Sequence, residues 1–505
     1  MQQGIFPEQL KVGDITPIYK KDNDQLMENY RPVSTLPIFG KIFEKIIYSR
    51  LYSFFVAKST LNENQFGFRQ QHSTSHALNC SVNHIENSLR KDEHVLGIFI
   101  DLSKAFDTID HRMLLTKLER YGIRGNTLSL IKSYLIGRSQ YTTVLDNKSD
   151  KLLVRYGVPQ GSVLGPLLFL IYINDLSNCS NLGNFMLFAD DTNVFVKDKN
   201  KTNAYNKANN ILNSIHEYMV ANKLHINIKK CCYIHFNPHR KSRKLPDTEL
   251  YTTDDSPHLK IHNSTIEQVT KTKFLGVIID EELSWQPHID YLTTKLKCSI
   301  GSLNRIKDYI PASLHKNLYH TLFESHLIYG ISVWGGVSKT HLDKLFILQK
   351  KCTRILFGDK EAYLNKFRTC VRARSKENQT LGSEFYSREH SKPLFTKNEI
   401  MTVYNLYKYH TVLLAFKILK FRTPIALHGC FNLSHRKATL LLTPMPSINF
   451  TYQASSLWNK VRTLLGINDF SVKLGKTKSA LKTLISRREK MGDQNEWSEE
   501  NFDLE

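Results

Sequence analysis

Apolar and polar positions follow a clear pattern around two adjacent acids near the middle of the chain. Residues 184–196 read Asn-Phe-Met-Leu-Phe-Ala-Asp-Asp-Thr-Asn-Val-Phe-Val, so aromatic and β-branched residues flank Asp190 and Asp191. This pattern predicts a β-hairpin with both acids at its tip. Two adjacent carboxylates repel each other, and a divalent cation with oxygen ligands would relieve the repulsion. A solvated turn is the alternative interpretation.

A third acid follows a continuous apolar run further upstream. Residues 95–100, Val-Leu-Gly-Ile-Phe-Ile, predict a fully buried strand that ends at Asp101. An acid at the mouth of a buried strand is poorly solvated and needs a partner. A helix is predicted next, over residues 110–121, and Asp107 and Asp110 are interpreted as acids at its start, where the helix dipole favours negative charge.

The other patterned segments are typical of a protein that mixes helices and strands. Apolar residues at helical spacing predict helices over residues 41–55, 73–90, 167–176, 203–222, 287–306, 312–329 and 339–357, and helix-compatible patterns return over 399–485. Strand-like patterns occupy residues 15–22, 142–156, 224–228, 233–236 and 273–279. Residues 157–166 form a loop with three glycines and two prolines that opens into a helix, where backbone N–H groups can approach a ligand closely.

The charge balance indicates the kind of partner. The 505 residues include 69 Lys and Arg against 47 Asp and Glu, a formal net charge of +22. Such an excess favours a polyanion, since neutralising phosphates releases condensed counterions. A membrane surface is the competing explanation, but no strong basic amphipathic helix stands out and no apolar run is long enough to span a bilayer. Nucleic acid is therefore the better interpretation.

Cysteine usage and the first residues indicate the compartment. The eight cysteines form no C-x-x-C pair, which favours neither a zinc ribbon nor a disulfide framework. Residues 1–10 lack an apolar signal core. We expect an intracellular protein with reduced thiols, in either the nucleus or the cytoplasm.

The three acids on two buried strands suggest a specific chemistry. Carboxylates from separate strands are what a two-metal phosphoryl-transfer site requires, with two Mg²⁺ ions about 3.5–4 Å apart. Positioning and charge neutralisation supply most of the catalysis in such transfers. Lys20 and Lys21, followed across a polar turn by Arg31, are a candidate clamp for phosphates. Solvated lysines at a hairpin end are the alternative.

At this point the motifs resemble those of a known family, the reverse transcriptases. The resemblance rests on the first aspartate motif at residues 99–107, the glycine loop at 157–162 and the Phe-Ala-Asp-Asp hairpin at 188–191. Segments similar to the non-LTR retrotransposon branch, the jockey-like long interspersed elements, occur at residues 19–21 with 29–32, at 65–69 and at 274–277. The motifs also occur in the family's order.

The resemblance implies an α+β fold, a right-hand polymerase with fingers, a palm built on an antiparallel sheet, a helical thumb, and a mostly helical C-terminal region. The expected boundaries are fingers 1–94, palm 95–280 with insertions from the fingers, thumb 281–358, linker 359–398, C-terminal helical region 399–485 and acidic disordered tail 486–505.

The resemblance also implies an RNA-directed DNA polymerase that extends a DNA primer or target with dNTPs on an RNA template. Asp101 and Asp190 would bind two Mg²⁺ ions, or Mn²⁺, with Asp191 in support and the carbonyl of Leu102 completing the coordination. The remaining roles would be a triphosphate clamp by Lys20 and Arg31, a nucleotide and template pocket at Gln160 and Gly161, proton donation to pyrophosphate by Lys230 or Lys229, and a primer grip at Phe274, Leu275 and Gly276.

Phe106, five residues after Asp101, would determine which polymer is made. The resemblance implies that its ring abuts the sugar and excludes a 2′-hydroxyl, where RNA-copying RNA polymerases usually place Asp. Core packing is the alternative interpretation of Phe106.

Two other functions remain candidates: a catalytically inactive, transposon-derived nucleic-acid-binding protein, and an RNA-dependent RNA polymerase. The fingers motif begins within twenty residues of Met1. We therefore expect a truncated element without the endonuclease that usually precedes this polymerase. The template RNA, the oligomeric state and the role of residues 359–505 stay open.

Overall fold

The computed structural model describes residues 3–238, 258–358, 391–433, 440–441, 450–465, 472 and 474–491. The chain divides into two compact units, Met1–Thr272 and Lys273–Glu505. The first combines helices with two five-stranded sheets, and the second is mostly helical. The molecule therefore has the expected α+β character.

Among the residues that the structure describes, the first unit contains most of the strands and six α-helices. The strands are β1 (Val12–Tyr19), β2 (Tyr30–Thr35), β3 (His94–Ile100), β4 (Ser139–Val144), β5 (Asn147–Lys148), β6 (Leu152–Leu153), β7 (Asn184–Phe188), β8 (Asp191–Asp198), β9 (Cys232–Phe236), β10 (Lys260–Ile261), β11 (Ser264–Thr265) and β12 (Glu267–Gln268). The helices are α1 (Ile38–Ala57), α2 (Thr74–Leu89), α3 (His111–Arg120), α4 (Gly125–Leu135), α5 (Gly165–Ile173) and α6 (Lys201–Ala221).

The central sheet has the order β12-β9-β3-β8-β7, and β3 lies in its middle. Leu96 and Ile98 join the main core cluster, while Val95 and Phe99, which alternate with them, are also buried. Side chains alternate between the faces of a sheet, so both faces of β3 are covered. This confirms the buried strand that the apolar run predicted.

The predicted acid-tipped hairpin is confirmed. β7 and β8 pair in antiparallel fashion, with Phe188 opposite Asp191, so Ala189 and Asp190 form a two-residue turn. β8 also pairs with β3, and Ile100 lies opposite Thr192. The end of β3 therefore lies beside the turn.

The second sheet has the order β2-β1-β4-β5, with β6 paired to β4. β1 and β2 are antiparallel, with Ile18 opposite Arg31. The amide of Lys20 donates to the carbonyl of Asn29 at 2.9 Å and closes this end of the hairpin. Lys20 and Arg31 thus lie at the same end of the ladder, as the polar turn between them predicted.

Two predicted helix starts are confirmed by their caps. Ser73 precedes α2, and its side chain accepts a hydrogen bond from the His76 amide at 3.4 Å. Asp110 precedes α3 and accepts from the amides of Arg112 and Met113 at 2.9 and 3.1 Å. These are the free N–H groups that a helix start leaves for a capping side chain.

Three sequence predictions need correction. Residues 224–228 form no strand; Ile226 makes a single bridge to Leu102, and a 3-10 turn follows at Ile228–Lys230. Residues 273–279 belong to a hairpin of β13 (Lys271–Phe274) and β14 (Val277–Asp280), because the chain turns at residues 275–276 with positive φ values of 44° and 83°. Asp107 is not a helix-start acid, since α3 begins only at His111.

The second unit is built from helices. They comprise Gln286–Ile306, Lys339–Phe357, Lys392–Lys397, Val403–Phe421, Ile425–His428, Phe450–Leu465 and Leu474–Met491, with short helical pieces at His315–Leu318, Tyr319–Glu324 (a π-helix), Ser325–Ile328 and Ile331–Trp334. The predicted helix over 312–329 is therefore helical but changes its hydrogen-bonding pattern. A small hairpin pairs Asn432–Leu433 with Leu440–Leu441. Most of the expected linker and the end of the acidic tail lie outside the described residues.

Within the described part of the chain, no helix combines the length and apolar character that crossing a bilayer requires. The cysteines in that part are free thiols.

Candidate active site

The three predicted acids lie close together at one end of the central sheet, where β3 ends and β8 begins. Asp101 directly follows β3, and Asp190 and Asp191 lie at the tip of the neighbouring hairpin. The register of β3 with β8, continued by one residue beyond Ile100, places Asp101 beside Asp191. Strand pairing thus brings together acids that lie far apart in the sequence.

The pKa values of the hairpin acids reflect this proximity. Desolvation, followed by the negative charges of Asp190 and Asp101, raises the pKa of Asp191 to about 6. The Asp191 residue is nevertheless exposed, so solvent screens part of this repulsion. Desolvation and the charge of Asp101 also raise the pKa of Asp190. The three carboxylates therefore form one repulsive cluster that favours a positive partner.

Two of the expected phosphate-binding residues act on this cluster. The positive charges of Arg31 and Lys20 lower the pKa of Asp190 against its desolvation. Lys20 also lowers the pKa of Asp107. Both cations are exposed at the end of the β1–β2 hairpin. An anionic ligand beside the acids would be within their reach.

Asp101 has a direct cationic partner. The Lys230 Nζ lies 3.3 Å from the Asp101 Oδ2. Lys230 is placed there by the 3-10 turn Ile228–Lys230, and the Asn227 amide before that turn donates to the Asp101 carbonyl at 2.8 Å. Of the two lysines considered from the sequence, Lys230 is the one paired with an active-site acid.

The side chains of the site offer oxygen ligands to a divalent cation. Carboxylate oxygens are the ligands that hard cations prefer, and the raised pKa values mark uncompensated negative charge. Within the described ranges, however, no three His, Cys, Asp or Glu side chains converge tightly enough to hold a metal ion. The acids fit such an ion by chemistry, and they would have to turn toward one another to chelate it.

The glycine loop is fixed against the segment that follows Asp101. The Gln160 Nε2 donates to both carboxylate oxygens of Asp107, at 2.9 and 3.0 Å. The Gln160 carbonyl accepts from the amide of Ser34 on β2 at 2.7 Å. Gln160 is therefore held at both its backbone and its side chain. Desolvation raises the pKa of Asp107 in spite of the hydrogen bonds that it accepts from Gln160.

Two positions in this loop require glycine. Gly157 has a φ of +80°, and a Cβ there would lie 2.7 Å from the carbonyl oxygen of Asp107. Gly161 has a φ of +122°, and its Cβ would lie 2.6 Å from the carbonyl oxygen of Ser34. The loop consequently approaches two other backbone segments more closely than any side chain allows.

Phe106 is half-buried between two other aromatic rings. It stacks on Phe169, with ring centroids 4.7 Å apart and an interplanar angle of 29°. The ring of Phe68 meets it edge-on at 6.2 Å. Phe106 is thus partly a core residue, and both contacts restrict its ring. Phe68 belongs to the motif at residues 65–69, whose pattern predicts no separate role for it.

Leu102 and the predicted primer-grip residues make few contacts that the sequence could have predicted. Leu102 is buried and bridges Ile226, beside Asp101. In the second unit, Phe274 is buried, while residues 275–276 form the β13–β14 turn and the Leu275 carbonyl accepts from the Tyr329 hydroxyl at 2.7 Å.

Sequence reasoning missed the part played by Gln65. Its Oε1 accepts hydrogen bonds from the amides of Gly67 and Ala189, each at 2.9 Å. Ala189 is the residue before Asp190, so Gln65 contacts the acid-bearing turn directly. A glycine-containing turn was the only local signal, and it does not reveal a contact with a hairpin 124 residues away.

Comparisons with known proteins agree with the motifs. The family model described as "Reverse transcriptase (RNA-dependent DNA polymerase)" matches residues 18–279. The RNA-directed DNA polymerase from mobile element jockey of Drosophila funebris is 30% identical over 369 residues, which cover 71% of this chain and 39% of that protein. A probable RNA-directed DNA polymerase from transposon X-element of Drosophila melanogaster is 29% identical over 361 residues, 70% of this chain and 38% of that protein.

The matched part of the chain thus spans less than two fifths of these relatives' length. Among solved structures, telomerase from Candida albicans in complex with a TWJ fragment of telomeric RNA is 14% identical, covering 85% of this chain and 68% of that chain with a TM-score of 0.39.

Proposed function

The chain belongs to the reverse transcriptase family, and from this membership we propose that it is an RNA-directed DNA polymerase that extends a DNA primer with dNTPs on an RNA template. The observation that carries the proposal is the cluster of Asp101, Asp190 and Asp191 within the electrostatic reach of Lys20 and Arg31. The jockey relative is named for the same activity.

The proposed cofactor is a pair of Mg²⁺ or Mn²⁺ ions held by the three carboxylates and the Leu102 carbonyl. When bound, such ions activate the primer hydroxyl and stabilise the leaving pyrophosphate. The repulsion among the carboxylates supports this assignment, because a hard cation would neutralise it. Lys230 already supplies positive charge at Asp101.

Three cationic side chains of the site act on the triphosphate. Lys20 and Arg31 form charge-assisted hydrogen bonds with its oxygens and align it with the acids. Lys230 donates a proton to the pyrophosphate as it leaves, and this requires its ammonium to move from Asp101 toward the ligand. Electrostatic stabilisation by groups already in place is the main source of catalysis in such a transfer.

The remaining residues of the site select and position the substrates. Gln160 and Gly161 line the nucleotide and template pocket, and the contact with Asp107 supports this by fixing the Gln160 side chain. Phe106 excludes the 2′-hydroxyl of a ribonucleotide, because its ring is held by Phe169 and cannot easily withdraw.

The proposed division of the polymerase follows the same family. Residues 1–94 form the fingers, 95–280 the palm and 281–358 the thumb, with Phe274, Leu275 and Gly276 gripping the primer. The excess of basic residues supports binding of the template and primer backbones.

A primer-extension assay tests the proposal. The full chain, supplied with poly(rA)/oligo(dT), dTTP and Mg²⁺, should incorporate dTTP, and Asp190→Ala should abolish incorporation. Asp198→Ala is the matched control, since Asp198 lies at the other end of β8 and pairs with Lys207 at 2.6 Å. It should retain activity. If wild type and Asp190→Ala incorporate equally, the proposal is wrong.

One observation favours a second candidate, a nucleic-acid-binding protein without turnover. Lys230 pairs with Asp101, one of the carboxylates that a metal ion would need. This candidate predicts salt-dependent binding of the primed template without incorporation in Mg²⁺ or Mn²⁺.

A further inference from the structure

The turn that carries the hairpin acids is strained. Ala189 has a φ of +56°, a conformation that side-chain-bearing residues rarely adopt. The flanking residues Phe188 and Asp191 pair with each other, so the Ala189 amide has no partner within the hairpin. Ala189 is also buried, with 4% of its surface exposed. A buried amide in this position needs an acceptor from elsewhere.

Gln65 supplies that acceptor. Gln65 is 2% exposed, and its Oε1 accepts hydrogen bonds from the amides of Ala189 and Gly67, each at 2.9 Å. The Gln65 Nε2 lies 3.5 Å from the Ala189 carbonyl, at the limit of a hydrogen bond. The oxygen atom is therefore the important part of the side chain.

The backbone around Gln65 is docked on the same hairpin. The Phe66 amide donates to the Leu187 carbonyl at 2.8 Å, and the Leu187 amide donates to the Asn64 carbonyl at 2.9 Å. β7 is an edge strand of the central sheet, so this segment covers its open side. Gly67 permits the approach, since a Cβ there would clash with the backbone of Ala189.

We propose that Gln65 is a positioning residue, which holds the Ala189 turn in the strained shape that directs Asp190 and Asp191 toward the reacting phosphate. The kinetic consequence rests on the proposed polymerase function. The structural consequence, a turn locked by one side-chain oxygen, is measurable whether or not the chain polymerises.

The test compares variants that keep or remove that oxygen. Gln65→Met has a similar length and no strong acceptor, so both amides lose their partner. Gln65→Glu keeps an acceptor oxygen in either protonation state and loses only the long Nε2 contact. Gln349→Met is the matched control: Gln349 is buried in the second unit, and its Oε1 accepts from the Val403 amide at 2.9 Å.

The first measurement is hydrogen exchange by mass spectrometry over peptides spanning residues 185–192. Gln65→Met should speed exchange there by at least about tenfold, because a buried amide loses its acceptor. Gln65→Glu should stay within about threefold of wild type by the same reasoning. Gln349→Met should leave these peptides unchanged. Equal exchange in wild type and Gln65→Met would overturn the proposal.

The second measurement is steady-state incorporation of dTTP. Gln65→Met should lower kcat by about 10- to 100-fold, since misplacing a catalytic group by 1 Å has effects of that order. KM for dTTP should change less than about threefold, because Lys20 and Arg31 lie on a different hairpin. Gln65→Glu should recover part of kcat. A purely structural role would affect Gln65→Met and Gln349→Met alike.

Gly67→Ala covers the case in which Gln65→Met does not fold. The added Cβ pushes the segment away from Ala189 while leaving Gln65 in the chain. Faster exchange at the turn is expected, and wild-type exchange would contradict the proposal. A wild-type protein that fails to extend a primer would refute the polymerase function, and the exchange data would still decide the role of Gln65.

Discussion

Asp107 accepts both of its side-chain hydrogen bonds from one residue, the Gln160 amide, at 2.9 and 3.0 Å. The pair joins the segment after β3 to the glycine loop, 53 residues further along the chain. Gln160 therefore does not have to be ordered by an incoming nucleotide. Preorganisation of this kind lowers the entropic cost of binding.

The first prediction concerns this pair. Asp107→Ala frees the Gln160 side chain, so KM for dTTP should rise about fivefold to tenfold, the equivalent of one side-chain hydrogen bond. Asp107→Asn retains one acceptor oxygen and should show a smaller rise. Asp146→Ala, at an exposed position, is the control. An unchanged KM in Asp107→Ala would contradict the prediction.

The second prediction concerns pH and Asp191. Its pKa of about 6 lies above the ordinary value of 3.8, so the folded state binds a proton more tightly than the unfolded state does. Without divalent ions, the stability should therefore fall as pH rises from about 4 to about 7. Asp191→Asn should remove this loss and be about 1 kcal/mol more stable than wild type at pH 8, after allowance for solvent screening. Urea unfolding at several pH values measures it.

Asp198 provides a control of opposite sign on the same strand. The hydrogen bond from Lys207 lowers the pKa of Asp198, so its contribution to stability is present at neutral pH and disappears as pH falls. Asp198→Asn should thus be less stable than wild type at pH 8 and equal to it in acid.

Adding Mg²⁺ should stabilise wild type more than Asp191→Asn, since only wild type keeps all three carboxylates.

The acids were predictable from the sequence because their positions follow from local pattern. A buried apolar run ends at Asp101, and two strand-like runs flank Asp190 and Asp191, so burial alone sets the ends of these strands. The Asp107–Gln160 and Gln65–Ala189 contacts were not predictable, because each joins segments that only the folded sheet brings together. No local pattern at Asp107 distinguishes a helix-start acid from a distant hydrogen-bond acceptor.

The errors over secondary structure have similar causes. The alternation of apolar and polar residues at 224–228 suggested a strand. In the structure this segment makes a single bridge, to Leu102, before a 3-10 turn begins. Residues 273–279 were predicted as one strand, because a leucine gives no sequence signal for the positive φ that Leu275 adopts. Pairing partners and left-handed turns at residues other than glycine are decided by tertiary structure.

The third prediction concerns a buried acid that supports the glycine loop. The Glu44 Oε2 accepts from the Val163 amide at 2.6 Å, and its Oε1 accepts from the Tyr134 hydroxyl at 2.9 Å. Glu44→Leu removes the acceptor of both donors, and the free energy of unfolding should fall by about 3 kcal/mol. Urea unfolding measures the loss. Glu119→Leu, at an exposed position on α3, should change stability little, and equal losses in the two variants would refute the prediction.

The last prediction tests the role of Phe106. Its ring stacks on that of Phe169, a contact that restricts its movement, and the proposed role is to exclude a 2′-hydroxyl. Phe106→Ala removes the ring, and the preference for dTTP over UTP, measured as the ratio of kcat/KM values, should fall at least about tenfold on the same template. Phe54 is a half-buried phenylalanine on α1, and Phe54→Ala should weaken the core without altering the preference. If Phe106→Ala loses stability as Phe54→Ala does but keeps its preference for dTTP, then Phe106 is a packing residue and the sugar is selected elsewhere.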